Sequence, residues 1–201
     1  MPSRAYERFA GTCALLVAAV GLAYSLTFVI GLSEESDAID VLKSIFLLAG
    51  GLLSIAVLLA VYGRLRELDP AFALLALVLG LAGGLGAAIH GSYDLGLEVQ
   101  SDDSLDTGIA AADPRGFLTF GVTGLALLLV AWLVRRGGFF PLQLGNLSAL
   151  AGALLVFVYI GRLTIYDPEN PVLLIAAALA GFLVNPALYA WLGLILRRGS
   201  A

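Results

Sequence analysis

The sequence predicts an all-α integral membrane protein, a bundle of six transmembrane helices in one membrane domain covering residues 1–201. Composition is the first reason, since 60% of the residues are hydrophobic and 13% are charged, whereas soluble proteins carry about 25% charged residues. The second is that apolar runs recur along the chain, each long enough to cross about 30 Å of hydrocarbon as a helix. Helices are expected because they satisfy their backbone hydrogen bonds within one segment.

The expected spans cover residues 9–31, 41–63, 71–92, 117–134, 144–164 and 172–195. The first follows Arg4 and Arg8, as in a signal peptide, but its apolar stretch is too long for the apolar region of such a peptide. It is therefore interpreted as a retained helix. Cys13, the single cysteine, lies in this span and is expected to be a buried, inert thiol.

An Asp-Pro pair precedes three of the spans, at residues 69–70, 113–114 and 167–168. Asp is a good N-cap, and Pro is tolerated at the first helical position because its missing N–H would be unpaired there. Three helices are therefore expected to start in the same way. The long connection at 94–115 is predicted to be an acidic extracytoplasmic loop without a packed subdomain.

Charged residues predict the orientation. If the spans alternate, eight basic residues fall on one side of the membrane and three on the other, namely Lys43, Arg115 and Arg162. The positive-inside rule then places both termini in the cytoplasm, in a multi-pass protein of the cell membrane. Twelve of the 15 acidic residues fall on the outer side, which therefore carries a net charge of −9.

One short phrase occurs twice. Gly-Arg-Leu at 63–65 with Asp-Pro at 69–70 recurs as the same residues at 161–163 and 167–168. Because three spans separate the copies, they fall on opposite sides of the membrane. This predicts a 3+3 inverted repeat, a plan used by secondary transporters with sites between the halves. The alternative is chance recurrence of helix-ending phrases in a Gly- and Leu-rich chain.

Small residues at spacings of three and four predict the contact faces of the spans, because they let helix backbones approach closely in lipid. The polar residues share these faces and are expected to point into the bundle. Asn185-Pro186, near the middle of the sixth span, predicts either a packing kink or an exposed carbonyl and amide for a ligand.

Candidate binding residues gather near the outer ends of the spans. His90 and Asp94 lie one turn apart, so the carboxylate is expected to orient the imidazole. Arg162 is expected to bind an anionic group, to pair with Asp94 or to reach the outer headgroups. Lys43 is expected to pair with Asp40. The predicted ligand-binding set is His90, Tyr93, Asp94, Tyr159, Arg162, Tyr166 and Asn185.

Several activities are disfavoured. One histidine and one cysteine provide neither bis-histidine haem ligation nor a typical buried metal site, so no cofactor and no metal are expected. The only lysine lies at a helix end, away from the position that a retinal Schiff base needs. The sequence has no P-loop, no G-x-S-x-G phrase and no basic stripe that indicates nucleic-acid binding.

Three functions remain open. The first is binding or transport of a small solute or cation at an outer-side polar site between the two halves. The second is a non-catalytic structural or assembly subunit of a larger membrane complex, which would have a membrane-protein partner. The third is a membrane enzyme that uses His90 and Asp94 as a general base.

Overall fold

The computed structural model describes residues 2–31, 36–100, 114–165 and 170–198. Within them, six helices are long and apolar enough to cross a membrane, which confirms the predicted all-helical, six-span architecture. Helices α1, α2 and α3 are Arg4–Gly31, Asp37–Leu65 and Pro70–Gln100. Helix α4 joins Pro114–Gly116, the π-helical segment Phe117–Val122 and Thr123–Arg136. Helix α5 is Leu142–Thr164, and α6 joins Pro171–Ala178, the π-helical segment Leu179–Val184 and Asn185–Arg198.

Both terminal helix ends, Arg4 and Arg198, lie at the same end of the bundle, which we call the proximal end. The distal end carries the α1–α2, α3–α4 and α5–α6 connections. Helices continue past the apolar runs because backbone hydrogen bonding is also favourable in the interfacial region outside the hydrocarbon. The largest difference from the prediction is in α3, which continues to Gln100. Asp94 and Glu98 are therefore helical, and residues 101–113 of the predicted loop lie outside the described residues.

The Asp-Pro prediction is confirmed at α3, where the Asp69 carboxylate accepts a hydrogen bond from the backbone N–H of Phe72 at 3.2 Å. Helix α4 begins at Pro114, and its predicted cap, Asp113, lies outside the described residues. Helix α6 begins at Pro171, and its cap is Asn170, whose side chain accepts from the backbone N–H of Val172 at 3.1 Å. The predicted pair at 167–168 lies outside the described residues.

Each helix packs against its neighbours in sequence, and α6 packs against α1, which closes a ring of six antiparallel helices. Glycines permit the closest approaches. A Cβ atom at Gly51 would lie 2.5 Å from the carbonyl oxygen of Gly84, and one at Gly11 would lie 2.8 Å from that of Gly193. The small-residue faces are therefore used for contacts within the chain.

The side chains that fill the inside of the ring differ between its two ends. A cluster of buried apolar side chains fills the proximal half, including Leu65, Leu133, Phe140 and Leu196. Cys13 belongs to this cluster and is 4% exposed, which confirms the expected buried thiol. A cavity of about 30 Å³ remains among these side chains, enough for about one water molecule. Buried hydroxyls from Ser25, Ser44 and Thr119 lie towards the distal end.

The kink predicted for α6 takes the form of the π-helical segment Leu179–Val184, directly before Asn185-Pro186. Proline lacks a backbone N–H, and its ring crowds the carbonyl four residues earlier. The turn before Pro186 therefore widens, as in the π-bulges found within many helices.

Candidate functional site

The first part of the site is on α3. His90 lies near the end of the predicted span, and Tyr93 and Asp94 lie on the turns by which the helix continues beyond it. The Nε2 atom of His90 lies 3.4 Å from the Oδ2 atom of Asp94. The two side chains therefore contact each other one helical turn apart, as their spacing predicts.

Helix α4 supplies the cation of the site. The Nη1 atom of Arg115 donates to the Oδ1 atom of Asp94 at 2.8 Å, while the other oxygen of this carboxylate faces His90. The Arg115 guanidinium also lies 4.2 Å from the centre of the Tyr93 ring, in cation–π contact. Asp94 thus pairs with Arg115, whereas pairing of Asp94 with Arg162 was one of the three roles that the sequence left open for Arg162.

Thr119 completes the network. Its hydroxyl donates to the backbone carbonyl of Arg115 at 2.9 Å, and its oxygen lies 3.3 Å from the Nδ1 atom of His90. Both ring nitrogens of His90 thus face protein groups, Nδ1 towards Thr119 and Nε2 towards Asp94.

The four side chains form a network that we call the distal network: His90, Asp94, Arg115 and Thr119. It is partly open, because the side chains of His90, Asp94 and Arg115 are 15%, 26% and 19% exposed. It also joins the third and fourth helices, which belong to different halves of the predicted repeat. Partial burial strengthens its electrostatic interactions relative to water and still leaves it accessible.

Helices across the ring contribute to the same region. The hydroxyl of Tyr24 on α1 lies within electrostatic range of both Asp94 on α3 and Arg162 on α5. Arg162 itself is exposed, and no ion pair to it is found among the described residues. Tyr24, Asp94 and Arg162 therefore lie towards the same end of the bundle, on three helices that are not neighbours in the ring.

The remaining predicted site residues have different surroundings. The Tyr159 ring lies 5.3 Å from that of Phe117, in the π-helical segment of α4, so this residue borders the distal network through an aromatic contact. Asn185 is on α6, and its side-chain oxygen is buried with no hydrogen-bond partner among the described residues. Tyr166 lies outside the described residues.

Further carboxylates surround the distal network. Lys43 forms the predicted ion pair with Asp40, one turn away on α2. Glu98, one turn beyond Asp94, lies within electrostatic range of Asp37, Asp40 and Lys43. Among the described residues, no group of three or more His, Cys, Asp or Glu side chains is arranged to hold a metal ion.

A second charged pair, at the proximal end, was missed by the sequence prediction. The Nε and Nη2 atoms of Arg64 donate to the two carboxylate oxygens of Glu7 at 2.7 and 3.1 Å. Both side chains are 5% exposed, and the guanidinium lies 5.2 Å from the centre of the Phe140 ring. This proximal pair connects α1 to α2 and closes the end of the ring below the apolar cluster.

Glu7 and Arg64 both lie just outside the predicted apolar spans. The sequence therefore predicts that both side chains belong to the solvated proximal face. One signal was available. Arg64 lies within a run of mainly apolar residues that includes Val61, Tyr62 and Leu65. A charge within such a run requires a partner when it is buried. The predicted set also omits Arg115, which the charge distribution places on the outer side together with Lys43 and Arg162.

Comparison of the chain with protein families, curated proteins and solved structures finds no match. Its function is therefore argued from the geometry above.

Proposed function

We propose that this protein binds a small solute or cation at the distal end, in the polar space between its two three-helix halves. The observation that carries the proposal is the distal network, where Asp94 of the first half contacts Arg115 of the second. Ionisable groups within membrane spans are costly and mark ligand or proton pathways by default. Here they lie at the junction of the halves, where repeat transporters bind their substrates.

Charge favours a cation as the ligand. The predicted outer side carries twelve acidic and three basic residues. Four of these acidic residues are described by the structure, and Asp37, Asp40 and Asp94 all lie close enough to influence Glu98. A surface with this charge concentrates cations near an opening. A cation that contacts Asp94 would compete with Arg115 and His90 for the same two carboxylate oxygens.

The packing supports access from the distal end. The proximal half of the ring is filled by the apolar cluster, and the proximal pair of Glu7 and Arg64 lies beneath it. A bound solute would therefore exchange with the distal side in this conformation, and transport would require the proximal half to open. Because the proximal end carries most of the arginines, we assign that end to the cytoplasmic side of the membrane.

The two copies of the repeated phrase support two inverted halves. Gly63 and Arg64 lie at the proximal end of α2, and Gly161 and Arg162 lie at the distal end of α5. Both glycines are sites of close approach, since a Cβ atom would lie 2.3 Å from Pro2 at Gly63 and 2.3 Å from Leu173 at Gly161. The two phrases thus share a packing role at opposite ends of the bundle.

The two other hypotheses gain less support. The glycine-rich faces that suggested an assembly subunit are occupied by contacts within the chain, such as Gly124 against Gly152. The enzyme hypothesis needs a histidine nitrogen directed at a substrate. Both ring nitrogens of His90 instead face protein groups, Asp94 and Thr119.

The proposal is tested by thermal unfolding of the protein in mild detergent with a panel of inorganic cations, small organic cations and small anions. We expect at least one cation to raise the melting temperature of the wild type, and the Asp94→Asn variant to lose that increase. Asp40→Asn is the matched control, because Asp40 lies at the same end but is paired with Lys43. No stabilisation by any solute, or equal stabilisation of the Asp94→Asn variant, would contradict the proposal.

A further inference from the structure

A groove runs along the outer surface of the ring between α3 and α4, in the proximal half. It is lined by Phe72, Leu79, Leu125, Leu128, Leu129 and Trp132, and its volume is about 460 Å³. Phe72, Leu125 and Trp132 are between 37% and 43% exposed, so the groove is open to the surroundings of the bundle. Its lining is entirely apolar apart from the indole N–H.

The proximal end of the groove carries a cation. The guanidinium of Arg136 lies 4.4 Å from the centre of the Trp132 ring, and the Phe72 ring lies 4.6 Å from the same ring. The neighbouring Arg135 instead donates two hydrogen bonds to Asn146. Arg136 is exposed, and no ion pair to an acidic side chain is found for it among the described residues.

The length of the groove fits one leaflet of a bilayer. From Leu125 to Arg136, eleven residues at 1.5 Å each span about 16 Å along the helix. Half of the hydrocarbon core of a bilayer is about 15 Å thick. The apolar part is thus long enough to cover one leaflet. This would place Trp132 and Arg136 at the depth of the headgroups, where tryptophan and arginine are favoured.

We propose that this groove binds one anionic phospholipid of the proximal leaflet, with an acyl chain along the apolar lining and its phosphate at Arg136. An indole N–H at the same depth supplies a further donor to the headgroup. A partner helix fits the groove less well. Helix contacts within this chain are made at glycines, whereas this lining consists of large side chains without glycine.

The chain carries its own reporter for this site. It has two tryptophans, and Trp191 is partly buried against the apolar cluster. In a Trp191→Phe variant, the fluorescence of Trp132 reports directly on lipid in the groove. The protein would be reconstituted in vesicles of zwitterionic phosphatidylcholine, with increasing fractions of either brominated phosphatidylglycerol or brominated phosphatidylcholine.

We expect brominated phosphatidylglycerol to reach half-maximal quenching at about a fivefold lower fraction than brominated phosphatidylcholine, the preference that one arginine at an anionic surface provides. Arg136→Gln should remove this preference. Arg198→Gln is the matched control, since it removes one exposed charge from the same end of the bundle on α6, away from the groove, and should retain it. Thermal stabilisation of the unmodified wild type by phosphatidylglycerol over phosphatidylcholine should show the same pattern with Arg136→Gln and Arg198→Gln.

Two results would overturn the proposal. Equal quenching by both lipids in the wild-type groove would mean that only non-selective surrounding lipid contacts Trp132. Absence of quenching by either lipid, together with a dimeric particle on sizing, would mean that a second copy of the chain covers the groove.

Discussion

Both ends of the bundle hold charged side chains among apolar helices, but these side chains differ in their burial and in their partners. At the proximal end, Glu7 and Arg64 form a bidentate pair with both side chains 5% exposed. At the distal end, Asp94 divides its two oxygens between Arg115 and His90, whose side chains are 19% and 15% exposed. The first arrangement directs two guanidinium nitrogens at the two carboxylate oxygens and leaves little of either side chain exposed, whereas the second leaves all three partners partly exposed.

The difference is clearest for the two arginines of the repeated phrase. Arg64 is buried and contacts both Glu7 and Phe140, while its counterpart Arg162 is exposed at the other end. The same local sequence therefore has two structural roles, set by what the rest of the ring places beside it. A buried charged pair adds little net stability, because the cost of desolvating both charges offsets much of their attraction.

The largest effect is expected from Arg64→Leu. This change leaves the Glu7 carboxylate buried without its partner, which typically costs about 3–5 kcal/mol of unfolding free energy. The double variant Glu7→Leu/Arg64→Leu should recover most of that loss, because no unpaired charge remains. The measurement is thermal or chemical unfolding in mild detergent.

The matched control for Arg64 is Arg162→Leu, at the equivalent position of the repeated phrase. An exposed side chain is expected to change the unfolding free energy by less than about 0.5 kcal/mol. Equal losses of unfolding free energy in Arg64→Leu and Arg162→Leu would contradict the difference in burial and pairing between the two arginines.

Phe140→Leu should have the next largest effect, a loss of about 2 kcal/mol, because it removes a buried ring from both the apolar cluster and the Arg64 guanidinium. Phe139→Leu is the control, since this neighbour is only partly buried. The same unfolding measurement applies. A larger loss at Phe139 than at Phe140 would argue against a closed proximal end.

Asp94→Asn is expected to lower the unfolding free energy by about 1 kcal/mol, less than Arg64→Leu, because solvent screens the partly exposed distal pairs. The amide also keeps one oxygen as an acceptor for Arg115. If the loss reached that of Arg64→Leu, the distal network would be a structural core and the proposed ligand site would be wrong.

The smallest effect is expected for Lys43→Gln, below about 0.5 kcal/mol, because Lys43 and Asp40 form a partly exposed pair within one helix. Added salt should reduce even this difference by screening. A loss above 1 kcal/mol in the same unfolding assay would mean that Lys43 has a role beyond this pair.

Much of the fold could be predicted from the sequence. The spans are long apolar runs, and Asp69-Pro70 marks the start of α3 by its own local chemistry. The helix ends were less certain. α3 continues to Gln100 because helix formation depends on backbone hydrogen bonding rather than on hydrophobicity, and no proline or glycine cap ends it earlier.

Pairings between helices could not be predicted in the same way. Local spacing was sufficient for His90 with Asp94 and for Lys43 with Asp40, since each pair lies within one helix. The partner of Asp94 depended on ring order, because α4 rather than α5 packs against α3 and so brings Arg115 to the carboxylate. The Glu7–Arg64 pair likewise requires knowing that α1 and α2 cross at the proximal end.

The central claim is that water reaches the inside of the ring from the distal end and not from the proximal end. Two single-cysteine variants test this claim, Tyr24→Cys and Ser148→Cys, each in a Cys13→Ala background. A membrane-impermeant thiol reagent is applied to each variant from each side of the membrane. Ser148 lines the small cavity within the apolar cluster. The account predicts labelling of the cysteine at position 24 from the side opposite the termini, and none at position 148 from either side. Labelling at position 148 from the side of the termini would contradict it.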